Sequence, residues 1–290
     1  MAKENAINNR YEFVMLFDCE NGNPNGDPDA GNMPRTDPET GYGIVTDVCI
    51  KRKIRNFVEL AKEGEAGYNI LIKSDRSLNS KFADAYKELG LEEGQKGKNA
   101  NDVRAAQEYI CANYYDVRTF GAVMSTGNDP CGIVRGPVQI TFAKSADPVY
   151  LNEITITRQA KTTEDRQSAG GNTEMGKKSF IPYGLYRAEG YVSAMLAQKV
   201  TGFSEDDLEL LWTAIIHMFE NDHSAARGKM CLRKLFIFKH DSALGNAPSH
   251  ILFDKIKIER NTDQPPRSFA DYTVNVDRDM PAGVTLDERI

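Results

Sequence analysis

Hydrophobic and polar positions alternate most regularly near the start of the chain. Tyr11, Phe13, Met15 and Phe17 share one face under the two-residue period of a strand, and Val14 and Leu16 share the other. Apolar residues on both faces predict a central strand over residues 11–19, covered on each side. The aromatic face fits a packed core, and it also fits base stacking in an RNA-binding sheet. The period then changes. Thr46 is an N-cap residue, and Ile50, Ile54, Phe57 and Ala61 follow at helical spacing. Residues 80–89 and 101–114 also read as helices, and 68–73 as a strand. Strands are predicted at 133–142, at 149–158, where Ile154 and Ile156 alternate with Thr155 and Thr157, and at 183–192. Ser204 and Asp207 make a capping-box pattern ahead of a helix with core face Leu208, Leu211, Ile215 and Phe219, bordered by Trp212. A strand at 232–239 and another at 272–276 follow, before a polar end.

Two stretches interrupt this pattern. Residues 64–114 read as a helical insertion, and 159–182 as a polar, Gly-containing hairpin arm between strands. Without them the order is strand, helix, strand, strand, helix, strand, the split βαβ order of ferredoxin-like folds. The predicted fold class is α+β, one elaborated domain over 1–290.

Between the first strand and the first helix lies a long loop, residues 20–43. Asn21-Gly22, Asn23-Pro24 and Asn25-Gly26 are turn signals, and a loop of this length is either functional or disordered. Its acids Asp27, Asp29, Asp37 and Glu39 lack the spacing of an EF-hand and suit turn-forming and capping roles. On the helix beyond, Lys51, Arg52 and Arg55 form a basic stripe, with Lys53 pointing elsewhere. A solvated face and a phosphate-contacting face both fit that stripe.

Composition narrows the class. With 290 residues, 40% hydrophobic and 27% charged, the chain has room for a sizeable core. No apolar run is long enough to span a bilayer, and the polar first ten residues lack a signal-peptide core, so a cytoplasmic protein is expected. A net charge of −6 argues against whole-molecule attraction to nucleic acid but permits a local basic groove. The 5 cysteines are scattered and read as small buried hydrophobes. His217 and His223 are not at metal-ligand spacing, and no phosphate-binding glycine loop or nucleophile elbow occurs. No cofactor or metal is expected. The residues that stand out suit binding a polyanion better than breaking a bond.

The loop and helix carry a resemblance. Asn21-Gly22-Asn23-Pro24-Asn25-Gly26-Asp27-Pro28-Asp29, Pro34-Arg35-Thr36-Asp37, Thr46-Asp47-Val48 and Lys51-Arg52-Lys53-Ile54-Arg55 closely resemble the CRISPR-associated Cas-seven family, most of all its type I-C (Csd-two) branch. Phe120-Gly121-Ala122-Val123-Met124, Met175-Gly176, Tyr183-Gly184-Leu185-Tyr186-Arg187 and residues 219–228 extend the resemblance over nearly the whole chain. It implies a hand-shaped backbone subunit of a Cascade complex. The palm would be a modified RNA-recognition-motif (ferredoxin-like) domain, residues 64–114 the fingers and 159–182 a long hairpin thumb. The implied partners are crRNA, other copies of the chain in a filament, other Cascade subunits, and target DNA through the guide. No membrane and no catalytic activity are implied.

The resemblance also implies roles for residues. Arg35, Lys51, Arg52 and Arg55 would hold guide phosphates, which positions a strand without reading its sequence. Arg158, Lys161, Arg166, Lys177 and Lys178 would line the thumb. Met124 and Phe180 would wedge beside a displaced base. Related type III subunits cut target RNA with a loop aspartate, so Asp27, Asp29 and Asp37 leave a metal-dependent ribonuclease as the alternative.

Overall fold

The computed structural model describes residues 5–94, 98–158 and 174–290. Strand β1 (Tyr11–Gly22) has the predicted alternation and runs through the middle of a mixed α/β architecture. After it, the loop carries a short ladder, β2 (Gly26–Asp27) with β3 (Met33–Pro34), and then β4 (Tyr42–Val45). Helix α1 (Asp47–Ala61) follows, with the Thr46 hydroxyl accepting from Cys49 N as the N-cap pattern predicts. Helices α2 (Leu78–Glu88), α3 (Ala100–Asn113) and α4 (Tyr115–Phe120) lead into a hairpin, β5 (Gly121–Met124) with β6 (Gly132–Arg135). Strands β7 (Val138–Ile140), β8 (Ala143–Pro148), β9 (Asn152–Arg158) and β10 (Glu174–Val192) come next.

Helix α5 (Glu205–His217) starts at a complete capping box, with Ser204 accepting from Asp207 N and Asp207 accepting from Ser204 N. Strand β11 (Lys229–His240), helix α6 (Ser249–Phe253), the hairpin β12 (Ile256–Arg260) with β13 (Tyr272–Val276), and β14 (Val284–Glu288) complete the chain. The main sheet is antiparallel throughout, in the order β14-β11-β1-β10-β8-β4, with β7 and β9 also pairing β10.

Both faces of this sheet are covered, as the apolar residues on both sides of β1 require. Phe13, Met15 and Phe17 pack with Ile50, Ile54 and Val58 of α1 and with Leu208, Leu211 and Ile215 of α5. Trp212 is buried at the centre of this cluster rather than bordering it, edge-on to Tyr11 and Phe13. The aromatic face of β1 is therefore core, with no exposed ring for a base. Val14 and Leu16 meet Phe236, Phe238, Leu252 and Phe253 on the other side. A third cluster, Leu71, Phe82, Ala85, Tyr86, Ile110, Met124 and Val134 among its members, belongs to α2, α3 and the β5–β6 hairpin. It reaches well past residue 114. No disulfide joins the cysteines, and burial pushes Cys19 and Cys131 up to about 12.

Three expectations change. Residues 68–73 are not a strand: a single bridge joins Asn69 to Tyr114, while Leu71 N and Ile72 N donate to the Asp116 carboxylate instead of to a neighbouring strand. The run 133–142 is two strands in different sheets, broken at Gly136-Pro137. A Cβ at Gly136 would lie 2.2 Å from the backbone carbon of Phe120, so the break is a close crossing of backbones that only glycine permits. The polar tail contains β14, which pairs β11 and forms one edge of the main sheet.

Candidate nucleic-acid interface

The long loop is held by its own backbone and by the side chains of Asn23 and Asn25. Asn21 takes φ 50, a left-handed conformation that asparagine tolerates. A Cβ at Gly22 would fall 1.9 Å from the carbonyl oxygen of Arg227, so the loop lies directly on the segment before β11. Asn23 N donates to Ala226 O at 2.8 Å. The Asn25 carbonyl accepts from Arg35 N at 3.0 Å, while its Oδ1 accepts from Thr46 N at 2.9 Å and from the Thr46 hydroxyl at 3.0 Å. Asn25 thus brings Arg35 beside the N-terminus of α1, across a wide gap in sequence.

The cations around that helix end differ in how they are held. Arg35 faces Asp27 at 3.3 Å, and its buried Nε has no hydrogen-bond partner among the described residues. Lys51 pairs with Asp47 at 2.9 Å, one turn back, and lies over the Phe120 ring. Arg55 donates from Nε to Asp116 at 2.9 Å and also covers Phe120. Asp116 is fully buried and takes two backbone N–H groups besides, which makes Arg55 a fixed strut between α1 and the helical cluster. Lys53, facing the other way as its spacing requires, is buried over Phe219 and pairs with Asp222, which Arg227 reaches at 3.3 Å. Arg52 is exposed and has no ion pair with any described residue. It rims a cleft of about 310 Å³ together with Arg55 and Lys73, above a floor of Val48, Ile72 and Leu78.

The second basic group lies on the hairpin arm. Residues 174–180 of β10 pair only with β9, in a ladder separate from the main sheet. Lys177 and Lys178 are adjacent in the strand and so point to opposite faces. Lys177 is exposed and pairs with Glu153 at 2.7 Å, while Lys178 stands across from Ile154. Phe180 stands across from Asn152 and is half-buried. The backbone of Arg158 ends β9, across from Glu174. Lys161 and Arg166 lie outside the described residues. Met124 does not fit the role expected of it. It is fully buried in the third cluster, and the outward positions of its hairpin are Val123 and Ile133, 69% and 63% exposed.

The model of the family described as CRISPR-associated protein Cas7 matches residues 9–277. The chain belongs to the Cas7 family. A CRISPR-associated protein Cas7 from Haloferax volcanii is 27% identical over 287 residues, covering 92% of this chain and 81% of that protein. Among solved structures, a chain of a "CRISPR RNA-guided surveillance complex, pre-nicking" is similar over 79% of this chain and 75% of its own, at 15% identity and a TM-score of 0.48. A chain of another CRISPR RNA-guided surveillance complex is similar over 79% of this chain and 68% of its own, at 15% identity and a TM-score of 0.45.

The loop acids of this Cas7 family member have local work. Asp27 caps a short turn by accepting from Asp29 N at 3.2 Å, besides facing Arg35. Asp37 accepts from the Thr40 hydroxyl at 2.6 Å and from Glu39 N at 3.1 Å, and these bonds hold its carboxyl below the ordinary range. Among the described residues no group of three or more His, Cys, Asp or Glu is placed to hold a metal ion. No helix among them is long and apolar enough to cross a membrane. Sequence reasoning missed Asp116 and Asp222, the acids that fix Arg55 and Lys53. Neither has a local signal, since each meets its cation across a long stretch of chain.

Proposed function

We propose that this chain is a non-catalytic backbone subunit of a type I-C CRISPR Cascade surveillance complex. It polymerises along crRNA by sequence-independent phosphate contacts and presents the guide for pairing with target DNA. The observation that carries this reading is the cationic end of α1. There Asn25 sets Arg35 beside the helix start, and Arg52 projects next to Lys51 without an ion pair to any described residue. Such a surface binds phosphate and leaves base edges unread, which a subunit serving any guide needs. Family membership supports the setting.

In this reading the strands β11-β1-β10-β8, with α1 after β1 and α5 before β11, are a ferredoxin-like palm of the RNA-recognition type. Helices α2 and α3 are the core of the finger, and the β9–β10 arm is the thumb. Arg35, Lys51 and Arg52 hold phosphates, and Arg55 stiffens their helix. The thumb cations Arg158, Lys161, Arg166, Lys177 and Lys178 close over the strand, with Phe180 beside the displaced base. The subunit works among other copies of itself and other Cascade subunits in the cytoplasm. The engagement of Asp27 by Arg35 and of Asp37 by Thr40 favours this reading over a ribonuclease built on the loop acids.

The test is the salt dependence of RNA binding. Lys51→Ala with Arg52→Ala removes two phosphate contacts, and the slope of log K against log salt becomes shallower by about 1.4, at ~0.7 per contact. Identical slopes in wild type and variant would remove α1 from the RNA site.

A further inference from the structure

The cations at the start of α1 fall into two classes according to the carboxylate that holds them. Asp116 is fully buried, takes two backbone N–H groups as well as Arg55, and cannot let go without leaving three donors stranded. Asp27 and Asp47 are different. Both stand at the surface, 26% and 24% exposed. Asp47 has no side-chain partner among the described residues other than Lys51, and Asp27 has only Arg35 and the N–H of Asp29. Asp47 takes a donor of Lys51 at 2.9 Å as a phosphate oxygen would, and Asp27 faces Arg35 Nη1 at 3.3 Å with the same charge sign.

We infer that Asp27 and Asp47 are intramolecular stand-ins for phosphate, which hold Arg35 and Lys51 until a nucleic-acid strand displaces them and so lower the subunit's affinity for unrelated strands. The inference rests on the RNA-binding reading above and adds an affinity-setting role for two acids. A phosphate that enters must first break each pair, and the displaced carboxylate then remains close by and repels it. Asp47 sits in the first turn of α1, where the helix dipole stabilises negative charge, so it stays in place after Lys51 leaves. A sequence-independent phosphate grip has no base contacts to reject wrong strands. A weakened grip keeps free subunits off them.

The experiment compares Asp27→Asn, Asp47→Asn and the double variant with Asp277→Asn. The last removes an exposed carboxylate paired with Lys255 at 2.7 Å, beside β13 on the other side of the sheet, and changes net charge by the same amount. Asparagine keeps the capping geometry at 27 and is isosteric at 47. Binding of a labelled oligouridylate, unrelated to any guide, is read by fluorescence anisotropy at fixed salt. Each of Asp27→Asn and Asp47→Asn binds about two- to fivefold more tightly than wild type, the range an exposed ion pair implies, and the double variant more tightly still. Asp277→Asn binds as wild type does. Binding of equal strength in all five proteins overturns the inference and leaves the RNA reading standing. No binding by any of them overturns both.

Discussion

Arg55 lies on the flank of α1 that reads as basic in the sequence, yet its guanidinium turns inward onto Asp116. Arg52, three residues before it, points to solvent. The two arginines therefore respond differently to the same change. Arg55→Ala leaves a buried carboxylate with only the N–H groups of Leu71 and Ile72, and loss of one partner of a buried pair costs about 3–5 kcal/mol. Urea unfolding of this variant shows a lower midpoint with a similar slope. Arg52→Ala stays within about 0.5 kcal/mol of wild type, as expected for a surface residue without an ion pair to any described residue. Equal midpoints for the two variants would mean that Asp116 is satisfied without Arg55. At this scale the sequence shows that a basic stripe exists. It does not show which of its members is already taken, because the acids that take them come from elsewhere in the chain.

The elements were more legible where a local signal set their ends. The N-cap at Thr46 and the capping box at Ser204 both form, since each needs only residues within one turn. Where an element depends on a distant neighbour the pattern misleads. Residues 133–142 look like one strand, but the backbone crossing at Gly136 divides them between two sheets. Strand β14 was hidden in a polar tail because an edge strand buries little, and charges on its exposed side suit it. Its end is tied by Glu288, whose carboxyl is held below the ordinary carboxylate range by Lys234 and then by Arg278. A lowered folded pKa adds stability above the unfolded value of 4.5 and loses it as pH falls through the lowered value. Glu288→Gln should therefore melt below wild type near neutral pH, with the two melting temperatures converging in acid. A constant gap across that range would assign the effect to packing and not to charge.

At the scale of the molecule, the helical cluster around α2 and α3 has its own core, and α4 beside it is joined to the sheet-covering helices α1 and α5 by buried ion pairs. Arg118 makes the second of these, with Nε and Nη2 each 2.8 Å from the Asp207 carboxylate and Nη1 donating to the carbonyls of Cys111 and Ala112 at the end of α3. Arg118→Ala opens that joint and removes the guanidinium that Asp207 and the end of α3 share. Hydrogen exchange should then rise through α2 and α3 and stay near wild type in β1 and β11, because local units open with their own free energies. A uniform rise over both clusters would show that they unfold as one.

The sequence by itself determined the central strand, the helices and their caps, the long turn-rich loop and the basic stripe on α1. Each rests on periodicity or on bonds within a few residues, and those are written consecutively along the chain. The family, too, was legible there, because its longest motif is contiguous. Only the tertiary structure decided which cations are paired inside the molecule. Asn25 had to cross to Thr46, Asp116 to Arg55 and Asp222 to Lys53 before Arg52 could be told from its neighbours. Charge pairing depends on distance in space, falling off over a few ångströms, and no spacing in the sequence records it.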